Sequence, residues 1–167
     1  MVWQCRKDAK QSKGPQQFGI CLIPGGRAQE AINEAKKAIE LYPNFADAYS
    51  SLGDYLAKNN QLEAAIHAYT KTIELNPNYA DIHSRLGAVL ALNKQLDSAV
   101  VEIKIGLTLN PIDSVASENL QLTLNQQAVQ LNKISNNLAA IEKLKEVLTI
   151  NPNNVDAKKN LAILTGK

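Results

Sequence analysis

The chain has 167 residues, 45% of them hydrophobic and only 5% aromatic, with a formal net charge of +2. Arg6, Lys7, Lys10 and Lys13 against Asp8 place +3 in residues 1–14, so the remainder carries −1. That remainder has no basic excess, which argues against nucleic acid as the main partner, and no apolar run is long enough for a membrane span.

Residues 1–14 show no helical periodicity and read as a disordered or irregular tail. Basic residues ahead of Phe18-Gly19-Ile20-Cys21-Leu22-Ile23 raise a secretory signal as a rival. The run ends at Pro24 and is shorter than a signal core of about 7–15 residues. The expected compartment is therefore the cytoplasm. Cys5 and Cys21 lie in this irregular part, with no C-x-x-C spacing and no metal-ligand companions.

From Pro43 onward the chain repeats itself. Pro43, Pro77 and Pro111 are evenly spaced, with a period of about 34 residues, and self-similarity at such a period means stacked units. Each unit reads as two helices. Tyr49, Leu52, Gly53 and Leu56 fall three and four apart, on one helical face. Lys58-Asn59-Asn60-Gln61 has no apolar residue and reads as a turn. Leu62, Ala65, Ile66, Tyr69 and Ile73 resume the spacing, and Pro77 ends the second helix by disfavouring helical geometry at Asn76.

Small residues recur at a fixed offset. Gly53 and Ala65 are twelve apart, as are Gly87 and Ala99. A glycine inside a helix costs about 1 kcal/mol relative to alanine, so its recurrence asks for a cause. Close approach of the paired helices supplies one.

Residues 15–45 read as a degraded unit. Gly19 and Ala31 keep the offset, a short first helix lies between Pro15 and Pro24, and a second runs from Glu30 to Leu41 with Ala31, Ala35, Ala38 and Ile39 inward. Gly25-Gly26 is a turn, because no G-K-[ST] follows. Residues 46–79 and 80–113 are the regular units. Residues 114–154 depart from them: the interval from Pro111 to Pro152 exceeds the period by seven. Seven extra positions are close to two helical turns. Ala128 and Ala140 restore the offset of twelve, so the spacing predicts one long first helix over 114–132, projecting beyond its neighbours. The second helix has Leu138, Ala140, Ile141, Leu144, Val147 and Leu148 as its apolar set. Residues 155–165, with Val155, Ala157, Leu161, Ala162 and Leu164, form a terminal capping helix.

Tyr49, Leu52, Gly53, Leu56, Ala65, Tyr69, Thr72 and Pro77, and again His83, Leu86, Gly87, Leu90, Ala99, Ile103, Gly106 and Pro111, follow in order the pattern of the tetratricopeptide repeat (TPR) family, which the chain resembles. The resemblance implies an all-α fold over residues 15–167. It would be a right-handed superhelical solenoid of antiparallel helix pairs, a TPR array of about 3.5–4 repeats plus a C-terminal capping helix.

No catalytic set emerges. His67 and His83 are the only histidines, neither with a partner arranged for nucleophilic work, and His83 holds a packing position. Asp47, Asp54 and Asp81 lack metal-loop spacing. No catalytic residue, cofactor or metal is expected, and the chain is expected not to be an enzyme. By resemblance, first helices line a concave groove that takes a peptide, a partner protein or a partner helix. Asp47, Ser50, Asp54, Asp81, Ser84, Arg85 and Ala88 are then the groove candidates. Gly53, Ala65, Gly87, Ala99, Ala128 and Ala140 are the packing set.

Some relatives of this kind clamp a chaperone's terminal carboxylate with Lys, Asn and Arg. The matching positions include Ser50, Asp54, Arg85, Val115 and Asn119, or in the other frame Gln16, Ile20, Ser51, Asp81 and Arg85. Only Arg85 has a suitable charge, so a chaperone tail is not the expected ligand. The alternative is a truncated or accessory repeat region of a larger enzyme such as a glycosyltransferase, without activity of its own. RNA binding, as in a related helical-repeat family, fits poorly with the near-neutral repeats.

Overall fold

Helix boundaries fall where the turn chemistry puts them. The computed structural model describes residues 28–166, which form eight helices with no strand among the described residues: α1 (Ala28–Leu41), α2 (Ala46–Lys58), α3 (Leu62–Leu75), α4 (Ala80–Leu92), α5 (Leu96–Leu109), α6 (Ser114–Lys133), α7 (Asn137–Ile150) and α8 (Val155–Thr165). The tail 1–14, the rival signal reading, Gly19 and the short first helix between Pro15 and Pro24 lie outside the described residues.

Two kinds of junction alternate. The second helices α3, α5 and α7 stop at an asparagine with φ in the extended range (Asn76, Asn110 and Asn151, at −144°, −136° and −138°). Each of these precedes a proline, which disfavours the helical conformation there. Each first helix instead turns into the second through a left-handed residue: Asn60, Lys94 and Ser135, with φ of 56°, 64° and 60°. One such residue reverses the chain in a few positions, so the two helices of a unit pack antiparallel.

Every helix packs on the next, and α4 also touches α6. The molecule is therefore a helical solenoid. Its core is a row of interhelical seams that falls into two clusters. The first holds Ile32, Leu52, Leu56, Tyr69, Ile82, Leu86 and Leu90. The second holds Ile103, Leu120, Leu124, Leu144 and Val147. Burying a large side chain of this kind is worth roughly 1.5–3 kcal/mol.

The glycines sit where helices meet. A β-carbon on Gly87 would run into Ile103 and lie 2.9 Å from the Ala99 carbonyl oxygen; one on Gly53 would lie 2.6 Å from the Tyr69 ring. The nearest atoms differ between the two units: the Ala99 backbone stands by Gly87, and the Tyr69 ring covers Gly53, with Ala65 fully buried in the same core. On a third glycine, Gly106 of α5, a β-carbon would lie 2.5 Å from Ser84 Oγ.

Helix α6 runs unbroken for 20 residues, against 13 in α2 and α4. Its buried Ala116, Leu120 and Leu124 follow Ile82, Leu86 and Leu90 by one period each. The regular register therefore holds through Leu124. Helix α4 ends at Leu92, one position before Asn93; the residue one period after Asn93 is Gln127, inside α6. The extra turns overrun at the C-terminal end, where Ala128 packs in one core with Ala140.

Two apolar expectations need correction. Leu138 is 73% exposed and Val155 is 74% exposed. Counted back from the buried alanine of its helix, Leu138 stands at the position of Glu63 and Asp97, on the solvent side. The inward position, held by Leu62 and Leu96, is Asn137 here. Val155 begins α8, and the residue that faces inward is Ala157, which is fully buried.

Candidate functional site

The groove candidates fall on α2 and α4, and several of them bind one another. Asp54 is the hub. It accepts a hydrogen bond from Tyr69 Oη at 2.7 Å and from Arg85 Nη1 at 2.5 Å. Arg85 Nη2 reaches Asp81 at 2.8 Å, one helical turn away. Asp47 accepts from Tyr79 Oη at 3.0 Å. These bonds tie α2 to α3 within the unit and, through Arg85, to α4 across the boundary with the next.

The electrostatics follow from that geometry. Burial disfavours the charged guanidinium of Arg85, but the hydrogen bonds and charges of Asp54 and Asp81 outweigh it and hold Arg85 above the ordinary arginine value. Tyr69 is raised above the usual phenol range, by burial first and then by its bond to Asp54. Tyr79 is raised by its hydrogen bond to Asp47. Arg85 thus meets two carboxylates of its own chain.

Among the remaining candidates, Ser50 and Ala88 are half-buried. Ser84 is not surface at all: it is 6% exposed, its hydroxyl donates to the Ala80 carbonyl at 3.3 Å, and it fills the space left by Gly106. All six residues of the packing set are buried.

His67 is exposed. His83 is buried, and contrary to expectation it has an acidic neighbour. Its Nδ1 lies 2.7 Å from Glu102 Oε2 and its Nε2 lies 2.9 Å from the Pro77 carbonyl oxygen. The antiparallel pairing of α4 and α5 brings Glu102 there. Both ring nitrogens are occupied by oxygens that fix the ring, so the contact is a structural clasp between helices. Among the described residues no group of three His, Cys, Asp or Glu side chains could hold a metal ion, and no helix is long and apolar enough to cross a membrane.

Sequence reasoning passed over one feature of the same line of helices. On α6, Val115, Leu122 and Val129 are 65%, 51% and 44% exposed. They recur every seven residues, which keeps them near one face. Val115 stands one period after Asp81, and Leu122 one period after Ala88. Carrying the groove positions forward by that step finds Val115 and Leu122.

Two family models match the sequence: a tetratricopeptide repeat over residues 34–67 and a TPR repeat over residues 53–94. No curated protein sequence matches significantly. Among solved structures, a crystal structure of MamA protein superposes with a TM-score of 0.63 at 20% identity, covering 84% of this chain and 73% of that one. MamA 41-end from Desulfovibrio magneticus RS-1 gives 0.61 at 21% identity, with 84% and 76% covered. The Arabidopsis OM64 TPR domain gives 0.50 at 16% identity, with 72% and 94% covered. At such identities these likenesses speak for the fold.

Proposed function

We propose that this tetratricopeptide-repeat chain is a non-catalytic interaction scaffold that holds a peptide or a partner helix along the first-helix face of α2, α4 and α6. The repeat units are those bounded at 15–45, 46–79, 80–113 and 114–154, with α8 covering the last. Extended concave surfaces of stacked repeats serve as binding surfaces.

The observation that carries this reading is the exposed aliphatic line Val115, Leu122 and Val129. Along the same face the character changes from Asp47 and Asp54 on α2, through Asp81 and Ala88 on α4, to Val115 and Leu122 on α6. A segment with apolar side chains at the α6 end and basic ones at the α2 end complements it. Arg85 already lies between Asp54 and Asp81, which supports a ligand other than a chaperone carboxylate.

Chemical cross-linking of the tagged protein in its own cells, followed by mass spectrometry, tests the reading. Val115→Asp with Leu122→Asp replaces two exposed side chains, so the helical circular dichroism should be unchanged. Partner cross-links that map to α2, α4 and α6 should disappear. If the same partner cross-links just as well to the double variant, the groove reading is wrong.

A further inference from the structure

The overrun of α6 builds a feature that the regular units lack. Where α4 ends and turns, α6 continues from Gln127 to Lys133 past the start of α5, as the bond from Gln127 Nε2 to Asp97 Oδ1 at 2.6 Å records. Helix α7 pairs with this overrun. An open cleft of about 550 Å³ remains, between the first turn of α5, the end of α6 and the first turns of α7.

Three properties of the cleft converge. Leu131, Ile134 and Ala139 give it an apolar wall, and Ile134 is 72% exposed there. Lys133 and Lys143 also line it. Lys143 is only loosely engaged: it stands 3.9 Å from Glu146, whose other oxygen is held by Lys104 at 2.6 Å. Finally, Gln127 lines the cleft and is 5% exposed. Its Nε2 is taken by Asp97, but its Oε1 has no hydrogen-bond partner. That oxygen is shut off from the open space, so Gln127 is a closed floor pinned by Asp97, whose carboxylate also lines the cleft.

We propose that this cleft is a second binding site, separate from the first-helix face, for a short peptide that presents an aliphatic side chain next to a carboxylate. The aliphatic group sits against Leu131, Ile134 and Ala139. The carboxylate faces Lys133 and Lys143. The carboxylate belongs either to an acidic side chain or to a chain terminus, and the chemistry of the cleft is the same for both.

The test uses nitrogen-labelled full chain and nuclear magnetic resonance titration with three probes. These are N-acetyl-Leu-Leu-Glu-amide, N-acetyl-Leu-Leu-Leu with a free terminal carboxylate, and neutral N-acetyl-Leu-Leu-Gln-amide. Saturable shifts are expected at the Gln127 side-chain amide and at the backbone of Leu131 and Ile134 with at least one acidic probe; which one binds tells the source of the carboxylate. The neutral probe should bind about five-fold more weakly, the scale of an exposed ion pair. Lys133→Gln with Lys143→Gln should abolish that difference. Equal binding of the neutral probe, or an unchanged preference for the acidic probe in the double lysine variant, overturns the proposal. Shifts confined to Val115 and Leu122 also overturn it, while leaving the first-helix reading intact.

Discussion

The regular units, α2 to α5, and the departing end, α6 to α8, solve the same packing problem by different means. In the regular units, Gly53 and Gly87 bring paired helices into contact that a methyl group would obstruct. At the other end Ala128 serves, 1% exposed, against fully buried Ala140. The helix starts differ as well. Helices α2 to α5 begin after Phe45, Gln61, Tyr79 and Gln95, none of which makes a side-chain cap. Helices α6, α7 and α8 begin with Asp113, Asn136 and Asn154, whose side chains accept from the backbone of Ala116, Ala139 and Ala157. The regular units rely on tertiary contacts, including Tyr79 reaching Asp47. The departing end relies more on local bonds.

The largest expected effect breaks this comparison at its tightest contact. Gly87→Leu should cost roughly 3 kcal/mol or more, because the obstacle includes the Ala99 backbone carbonyl and cannot be relieved by a rotamer. Gly53→Leu should cost less, roughly 1–3 kcal/mol, since the Tyr69 side chain can give way. Ala128→Gly at the departing end should cost only about 1 kcal/mol, the helix-propensity difference. Denaturant midpoints decide; equal losses at Gly87 and Ala128 would erase the distinction between the two regions.

The fold was legible because it rests on spacing. The regular period, the prolines after each second helix and the offset of twelve between small residues placed α2 to α7. The length of α6 followed from seven surplus positions. The site was less legible, because a periodic sequence says which positions are equivalent and not which side chains meet across units. Asp54 and Arg85 belong to different units, far apart along the chain, and nothing local pairs them. Ser84 is polar on a helix, which suggests exposure, yet it is buried because Gly106 opposite has no side chain. Leu138 misled in the other direction: an apolar residue one position off the inward stripe.

A second prediction takes up the bonds that meet at Asp54. Asp54→Ala leaves Arg85 without one of its carboxylates and Tyr69 without its acceptor. The expected loss is about 1–2 kcal/mol, reduced from the buried-pair scale because the Arg85 side chain is 40% exposed. The raised phenol of Tyr69 adds a pH dependence. A group held above its ordinary value contributes stability that is whole below about pH 10 and is lost as pH rises beyond it. Alkaline titration followed by ultraviolet absorbance should show one tyrosine resisting ionisation until the protein unfolds. Tyr69→Phe should remove that late step.

The caps make the converse case. Asp113→Ala and Asn154→Ala should each cost about 1 kcal/mol, whereas Gln61→Ala and Gln95→Ala, which remove no cap bond, should be close to neutral. Hydrogen exchange at Ala116 and Ala157 reads the effect locally. Unchanged protection at both would mean that these starts are held by packing, as in the regular units.

The smallest effect concerns what the two regions share. All three turns from first to second helix use a left-handed residue, and only Asn60 belongs to a type that adopts this conformation readily. Lys94 and Ser135 bear the cost of a side chain there, and glycine would relieve it while losing more entropy on folding. The net gain for Lys94→Gly or Ser135→Gly should be positive but no more than about 1 kcal/mol, with Asn60→Gly near zero. Because the turn depends on backbone geometry alone, the gain should be the same in the regular unit and in the departing one. A gain at Lys94 with a loss at Ser135 would show that the α6–α7 turn is held by something beyond its own backbone, such as the cleft beside it.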